Sequence, residues 1–340
     1  MMRWAWNRLN WTALNSIIGM IRNYFSFLLV LSSAFLLGCD GGKNAVVAFD
    51  PATAVYQEFS GEKALAEVKK FVDAGPHPAG TEASKAYILH MEETLKGHGW
   101  ETQRQVFTDP TPLGDIEFTN LRARFPAKAG KPVDWEQGGH VLLCSHFDTK
   151  YYPFINFVGA NDGGSSTGAL LEAARCLALN PATASQIELV FFDGEEAYVE
   201  FTATDGLYGS RHYTGKLRRI PKTQWPRAMV LFDLIGDQDL AIRVPPNGSQ
   251  ELLGHLFSAA KELGTRSSFG TARHPITDDH EPFNHLRIPA IDIIDLDYPH
   301  WHKESDTFDK ISAQNIEIVA KTTLLMIEKF LLSQPAPVAK

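Results

Sequence analysis

A chain of 340 residues has room for one large domain or two modest ones. With 44% hydrophobic and 21% charged residues it fits a globular protein with a sizeable core and excludes a disordered or collagen-like chain. A formal charge of −8, from 32 basic and 40 acidic residues, argues against a nucleic-acid binder, and three cysteines are too few for a disulfide scaffold.

The first 39 residues carry three arginines and no acid, so the remainder is more acidic still, at about −11 from 29 basic and 40 acidic residues. An apolar stretch over 24–37 follows Arg22. It falls short of the roughly 20 residues that a membrane span needs and matches the apolar region of a signal peptide. It ends in Leu36-Leu37-Gly38-Cys39, which resembles a bacterial lipobox and implies cleavage before Cys39 and lipidation of its sulfur. An uncleaved anchor is the alternative, and Met20 is an alternative start that gives a signal peptide of ordinary length. Asp40-Gly41-Gly42-Lys43-Asn44 then reads as a tether. The expected organisation is a signal peptide over 1–38, a lipidated Cys39 and tether over 39–59, and one folded domain over 60–335. That domain would be lipid-anchored in the cell envelope of a bacterium, outside the cytoplasm.

Beyond the tether, residues 62–72 place Leu65, Val68, Phe71 and Val72 at helical spacing. A Gly/Pro loop over 75–80 leads to a second helix over 81–98, with Thr81 as its N-cap. A short strand over 102–107, a turn-rich stretch over 109–115 and a strand over 119–125 follow. Compact apolar runs at 141–144, 187–192 and 229–232 read as buried strands, and 288–294 as another. Helices are expected over 165–178, 249–263 and 312–332. Strands separated by helices argue for an α/β sandwich with a largely parallel sheet, and no linker after residue 60 divides it.

In open α/β sheets, ligands bind outside the carboxyl ends of the strands. Here each buried run is followed at once by residues that can hold a metal. The run at 141–144 leads into His146 and Asp148, that at 187–192 into Asp193, Glu195 and Glu196, and that at 229–232 into Asp233. Asp162 lies in a glycine-containing loop opening the 165–178 helix, and Trp301-His302 follows the last strand. Ionisable groups at buried strand ends are costly to desolvate unless paired or bound to metal. A mixed oxygen and imidazole set suits zinc, with an open position for catalysis, and a four-cysteine structural zinc is excluded by the cysteine count. The adjacent Glu195-Glu196 supplies one carboxylate for metal and one for proton transfer.

The order His146-x-Asp148, Asp162, Glu195-Glu196, Asp233, Asp279-His280, His302 resembles the zinc-dependent exopeptidase superfamily of co-catalytic aminopeptidases. Within it, several strings resemble the glutaminyl cyclases: residues 146–151 (HFDTKY), 191–197 (FFDGEEA), 207–212 (LYGSRH), 233–236 (DLIG), 278–283 (DDHEPF) and Trp301-His302. The resemblance covers roughly 60–333. It implies a three-layer α/β/α sandwich over a mixed sheet, zinc ligands Asp162, Glu196 and His302, and Glu195 as general base and acid. It further implies Asp233 and Asp279 as supporting carboxylates and Trp301 in the substrate pocket, with Phe201 standing where a pocket Trp is usual. Animal cyclases carry a disulfide between places that Ser145 and Thr167 occupy here, so Cys144 and Cys176 are expected to be free, buried thiols.

The resemblance leaves two catalytic readings open. In the first, one zinc serves cyclisation of N-terminal Gln to pyroglutamate with release of ammonia. In the second, His146 and Asp233 complete a second metal site around Asp162, giving a two-zinc aminopeptidase. A lipoprotein that binds peptides without turning them over is a third reading, against which the Glu195-Glu196 pair argues. Asp148 is expected to orient His146. The partners are peptides with a free N-terminus and, through Cys39, a membrane.

Overall fold

The computed structural model describes residues 49–333, which lie within one unit running from Asn44 to Lys340. The signal-peptide, lipobox and Asp40–Asn44 expectations fall outside the described residues. Six helices are labelled here: α1 (Gly61–Asp73), α2 (Glu82–Gly97), α3 (Gly164–Leu177), α4 (Tyr208–Leu217), α5 (Gln250–Glu262) and α6 (Ala313–Met326), the last continuing as a π turn over Ile327–Leu332. The strands are β1 (Glu101–Thr111), β2 (Gly114–Arg124), β3 (Val141–His146), β4 (Ile187–Phe192), β5 (Ala228–Asp233), β6 (Ile242–Val244), β7 (Phe269–Thr271) and β8 (Ala290–Ile294).

Six strands form one sheet in the order β1-β2-β4-β3-β5-β8, and β6 pairs with β7 apart from it. The β4-β3-β5-β8 half is parallel, while β1 and β2 add an antiparallel edge. Period-2 alternation divides the side chains between two faces. Leu143, Leu189, Val230 and Ile293 pack with α1, α2, α3, α5 and α6. Leu142, Cys144, Val190 and Leu231 pack on the other side with Tyr213 and Leu217 of α4 and Phe283 of a short helix, Glu281–His285. This is the expected α/β/α sandwich. The parallel strands, buried on both faces, read as continuous apolar runs for that reason.

The N-cap expected at Thr81 is observed, and Ser249 and Ser312 cap two further helices in the same way. Thr81, Ser249 and Ser312 accept from the backbone N–H groups of Ser84, Leu252 and Asn315. Cys144 and Cys176 are buried and free.

Three expectations change. The turn-rich 109–115 stretch is the tip of an 11-residue hairpin that pairs from Glu101–Arg124 to Thr111–Gly114. Pro110 is tolerated because β1 is an edge strand and no ladder bond is lost on its open side. Helix α4 is not among the expected helices; with Gly209, Gly215 and Thr214 it is a weak helix former, and packing on the sheet decides its state. Third, order begins before residue 60: residues 51–58 form two 3-10 turns, and Val55 and Phe59 are buried. The Val55 and Tyr56 N–H groups donate to the two oxygens of Glu328 at 2.9 and 3.2 Å, and the N–H groups of Ser60 and Gly61 donate to Glu172 and Glu317.

Candidate active site

The carboxyl ends of the parallel strands deliver the acidic and imidazole side chains to one place. His146 ends β3, Asp233 ends β5, and Glu195-Glu196 lie in the loop leaving β4. Asp162 precedes α3, and His302 lies in the loop after β8. Asp162 joins two donor sets. Its Oδ1 is 3.4 Å from His146 Nε2, which is 3.3 Å from Asp233 Oδ1. Its Oδ2 is 3.5 Å from His302 Nε2, which is 3.2 Å from Glu196 Oε1. Each set lies within one ion's reach, and the ligands implied from sequence are brought together.

Both sets fit a small divalent cation. Ligands around a tetrahedral ion at about 2.0–2.1 Å stand roughly 3.3 Å apart, the spacing of these donors. Asp162 Oδ2 is buried with no hydrogen-bond partner, an expensive arrangement unless a cation satisfies it. Oxygen plus imidazole donors suit zinc.

Buried carboxylates hold the loops in place from behind. Asp148 accepts from the N–H groups of Glu195 and Glu196 through its two oxygens, at 3.1 and 3.2 Å. His146 Nδ1 donates to the Asp148 carbonyl at 3.2 Å, with the Asp148 carboxylate 3.6 Å away, so Asp148 orients both the imidazole and the glutamate pair. Asp306 does the same for Asp162: its oxygens accept from the N–H groups of Asn161 and Asp162 at 2.9 and 3.1 Å, and the Tyr298 hydroxyl secures it at 2.7 Å. Asn161 Oδ1 accepts from Gly236 N–H at 2.8 Å, tying the loop after β5 to the Asp162 loop. The Thr167 hydroxyl donates to the His146 carbonyl at 2.9 Å, so a hydrogen bond links β3 to α3. Among the described residues, three of the four non-glycine residues with left-handed backbone border the site: Leu207 (φ 53°), Leu234 (φ 50°) and His302 (φ 55°). Such strain persists only where surrounding contacts hold it, and it concentrates at functional sites.

The two adjacent glutamates are driven apart in proton affinity. Burial pushes Glu195 well above the usual carboxylate range, and the neighbouring charge of Glu196 pushes it further. Burial acts the same way on Glu196, but the His302 hydrogen bond and the charges of His302 and Lys150 outweigh it and hold Glu196 down at about 2. Lys150 Nζ donates to Glu196 Oε2 at 3.1 Å and to the Ala197 carbonyl at 2.8 Å, leaving Oε1 toward His302. One carboxylate is thus a permanent anion, suited to a ligand, and the other a proton acceptor.

Trp301 is 43% exposed and stacked on His302, with ring centroids 4.1 Å apart, so its face is open to a ligand. Phe201 is half-buried, and Lys150 Nζ lies 5.6 Å from its ring. Asp279 is wholly buried, and burial raises its carboxyl to about 7. It bears on Glu195 by charge, raising the proton affinity of that carboxylate further.

Several participants lack a local motif. Asp292, in the apolar run of β8, joins Asp278 and His280 in a third buried cluster beside Asp233. The signal for it was a carboxylate inside a buried strand. His280 has no hydrogen bond on either ring nitrogen among the described residues and stands 3.9 Å from Asp292. His77, which has no motif around it, is wholly buried. Its ring stacks on Tyr87, and its backbone N–H donates to Thr149 Oγ1 at 2.9 Å. Arg211 lies over the Tyr208 ring and donates to the Ala203 carbonyl.

Comparison with known proteins agrees with this geometry. The profile of Peptidase family M28 matches residues 123–327. Glutaminyl-peptide cyclotransferase from Bothrops jararaca is 27% identical over 296 residues, 76% of this chain and 78% of its own. Among solved structures, an Acidobacteriales bacterium glutaminyl cyclase shares 33% identity with a TM-score of 0.72, covering 85% of this chain and 97% of that one. The Porphyromonas gingivalis glutaminyl cyclase shares 26% identity with a TM-score of 0.69, covering 80% and 98%.

Proposed function

The chain belongs to Peptidase family M28, and from that footing we propose that it is a zinc-dependent glutaminyl-peptide cyclotransferase, converting N-terminal Gln to pyroglutamate with release of ammonia. The observation that carries the mechanism is the opposite proton affinity of Glu195 and Glu196 at one edge of a donor triad.

Asp162, Glu196 and His302 would hold the zinc, which would supply a Lewis acid for the γ-carbonyl of the glutamine side chain. Glu195, with its raised affinity, takes a proton from the α-amine as the amine nitrogen bonds to the side-chain carbonyl carbon. It returns that proton to the amide nitrogen as the carbon–nitrogen bond breaks and ammonia leaves. Nucleophile and electrophile belong to one residue, so no water has to be activated. Lys150 keeps Glu196 ionised throughout, and Asp148 holds the glutamate backbone through two N–H groups. The exposed face of Trp301 beside His302 is placed to cover the glutamine side chain and exclude water.

One observation favours a second reading: His146 and Asp233 form, with Asp162, a second set of donors at ligand spacing. With both sets filled, the same frame suits a two-metal aminopeptidase. Offering the purified protein Gln- and Leu-peptides side by side separates the two. Pyroglutamyl product and ammonia without free amino acid supports the cyclase, and released leucine overturns it. From residues 1–39 we further propose export and lipidation at Cys39, which would anchor the domain at a bacterial membrane outside the cytoplasm. Cys39→Ser is expected to leave the membrane fraction.

A further inference from the structure

A groove of about 600 Å³ opens next to the catalytic loops, between α4 and the short helix Glu281–His285. Three contacts join its inner end to the site. Leu207, at the floor, donates its N–H to the Glu195 carbonyl at 2.8 Å. Phe201, at the lip, faces Lys150, which grips Glu196. Glu281, in the opposite wall, donates its N–H to the Asp278 carbonyl at 2.9 Å. The groove therefore adjoins the loops that carry Glu195, Glu196 and Asp278, on the side where Phe201 stands.

The charge of the groove opposes that of the rest of the molecule. Arg211 and Arg218, one helical repeat apart on α4, line the outer half together with His285, in a chain whose formal charge is −8. Arg211 is braced over the Tyr208 ring at 4.9 Å and by the Ala203 carbonyl, so its guanidinium is held rather than waving. Arg218 is exposed at the C-terminal end of α4. The one acid in the groove, Glu281, is engaged at Oε1 by Asn247 Nδ2 at 3.0 Å. From Leu207 to Arg218 the helix rises about 16 Å, at 1.5 Å per residue. An extended peptide covers that length in about five residues, at roughly 3.3 Å each.

We propose that this groove binds the residues that follow the N-terminal glutamine, and that Arg211 and Arg218 favour peptides carrying a carboxylate three to five residues downstream. The proposal rests on the cyclase reading. The carboxylate can be an acidic side chain or the free C-terminus of a short peptide. Guanidinium groups bind either in the same way.

The test compares kcat/KM for C-terminally amidated hexapeptides that begin with Gln and carry Glu or Lys at positions four and five. A Gln-tetrapeptide, as free acid and as amide, is measured beside them. The Glu peptide is expected to exceed the Lys peptide by about three- to ten-fold, a preference that shrinks in high salt. The free acid is expected to exceed its amide by a similar factor if a C-terminus is read as well as a side chain. Arg218→Gln should reduce the Glu/Lys ratio and Arg218→Glu should bring it below one, each ratio taken within its own variant. A ratio of one in the parent protein, or one that neither variant moves, overturns the proposal. Absence of pyroglutamate from Gln-dipeptides overturns the cyclase reading instead, so the two failures are distinguishable.

Discussion

At the scale of single residues, Glu195 and Glu196 show how neighbours in sequence come to opposite chemistry. Glu195→Gln keeps the shape of the side chain but cannot accept a proton. Turnover is expected to fall about 10²–10⁴-fold while metal content holds. Glu196→Gln replaces an anionic ligand with a neutral one, so both metal content and rate should fall. Lys150→Met removes one of the charges that, with the His302 hydrogen bond, hold Glu196 ionised, and metal affinity should drop about 10–100-fold. Metal analysis and rate on the three variants check this. Metal loss in Glu195→Gln with retention in Glu196→Gln would reverse the two roles.

At the scale of elements, the antiparallel edge is held to the parallel sheet by a buried charge cluster. Arg122 and Arg124 of β2 both grip Glu188 of β4, which is wholly buried and also accepts from the Tyr213 hydroxyl of α4 at 3.0 Å. Burial alone would raise the Glu188 carboxyl; the two arginines overcome it and hold it at about 2. Since the folded-state value lies below the ordinary 4.5, the stabilisation is complete above about pH 4.5 and is lost as pH falls toward 2. The shift corresponds to roughly 3 kcal/mol. Glu188→Gln is expected to cost about 3–5 kcal/mol at neutral pH, because it leaves two buried guanidiniums short of charge. It should also flatten the acid limb of the stability curve. Urea melts of both proteins from pH 3 to 7 measure this, and parallel curves would show that Glu188 does not supply the acid sensitivity.

At the scale of the whole molecule, the chain from residue 51 is part of the fold. Val55 and Phe59 are buried against the helical layer, and Glu328, Glu172 and Glu317 receive the N–H groups of residues 55, 56, 60 and 61. A protein beginning at Lys43 keeps every one of these contacts and should match the full chain in stability and rate. One beginning at Gly61 loses two large apolar side chains worth about 1.5–3 kcal/mol each, and should melt several degrees lower. Equal melting of the two shortened proteins would show that the docked segment adds nothing.

The sequence by itself determined the sandwich, the strand runs that are apolar throughout, the helix cap at Thr81, and the ligand-capable residues at the strand ends. These are local properties: periodicity, capping chemistry and a charged residue directly after a buried run. Only the tertiary structure decided which of those residues meet. Asp162 stands between two imidazoles that are 156 positions apart in the chain, His146 and His302, and no local pattern encodes that distance. The same holds for Asp306, which clamps the Asp162 loop from 144 positions away, and for Lys150 against Glu196. Helix α4 belongs to this class too, since its residues favour a helix weakly and acquire one by packing against the sheet. The proton affinities of Glu195 and Glu196 came last of all. Two identical side chains in adjacent positions differ only through what the fold buries beside each one.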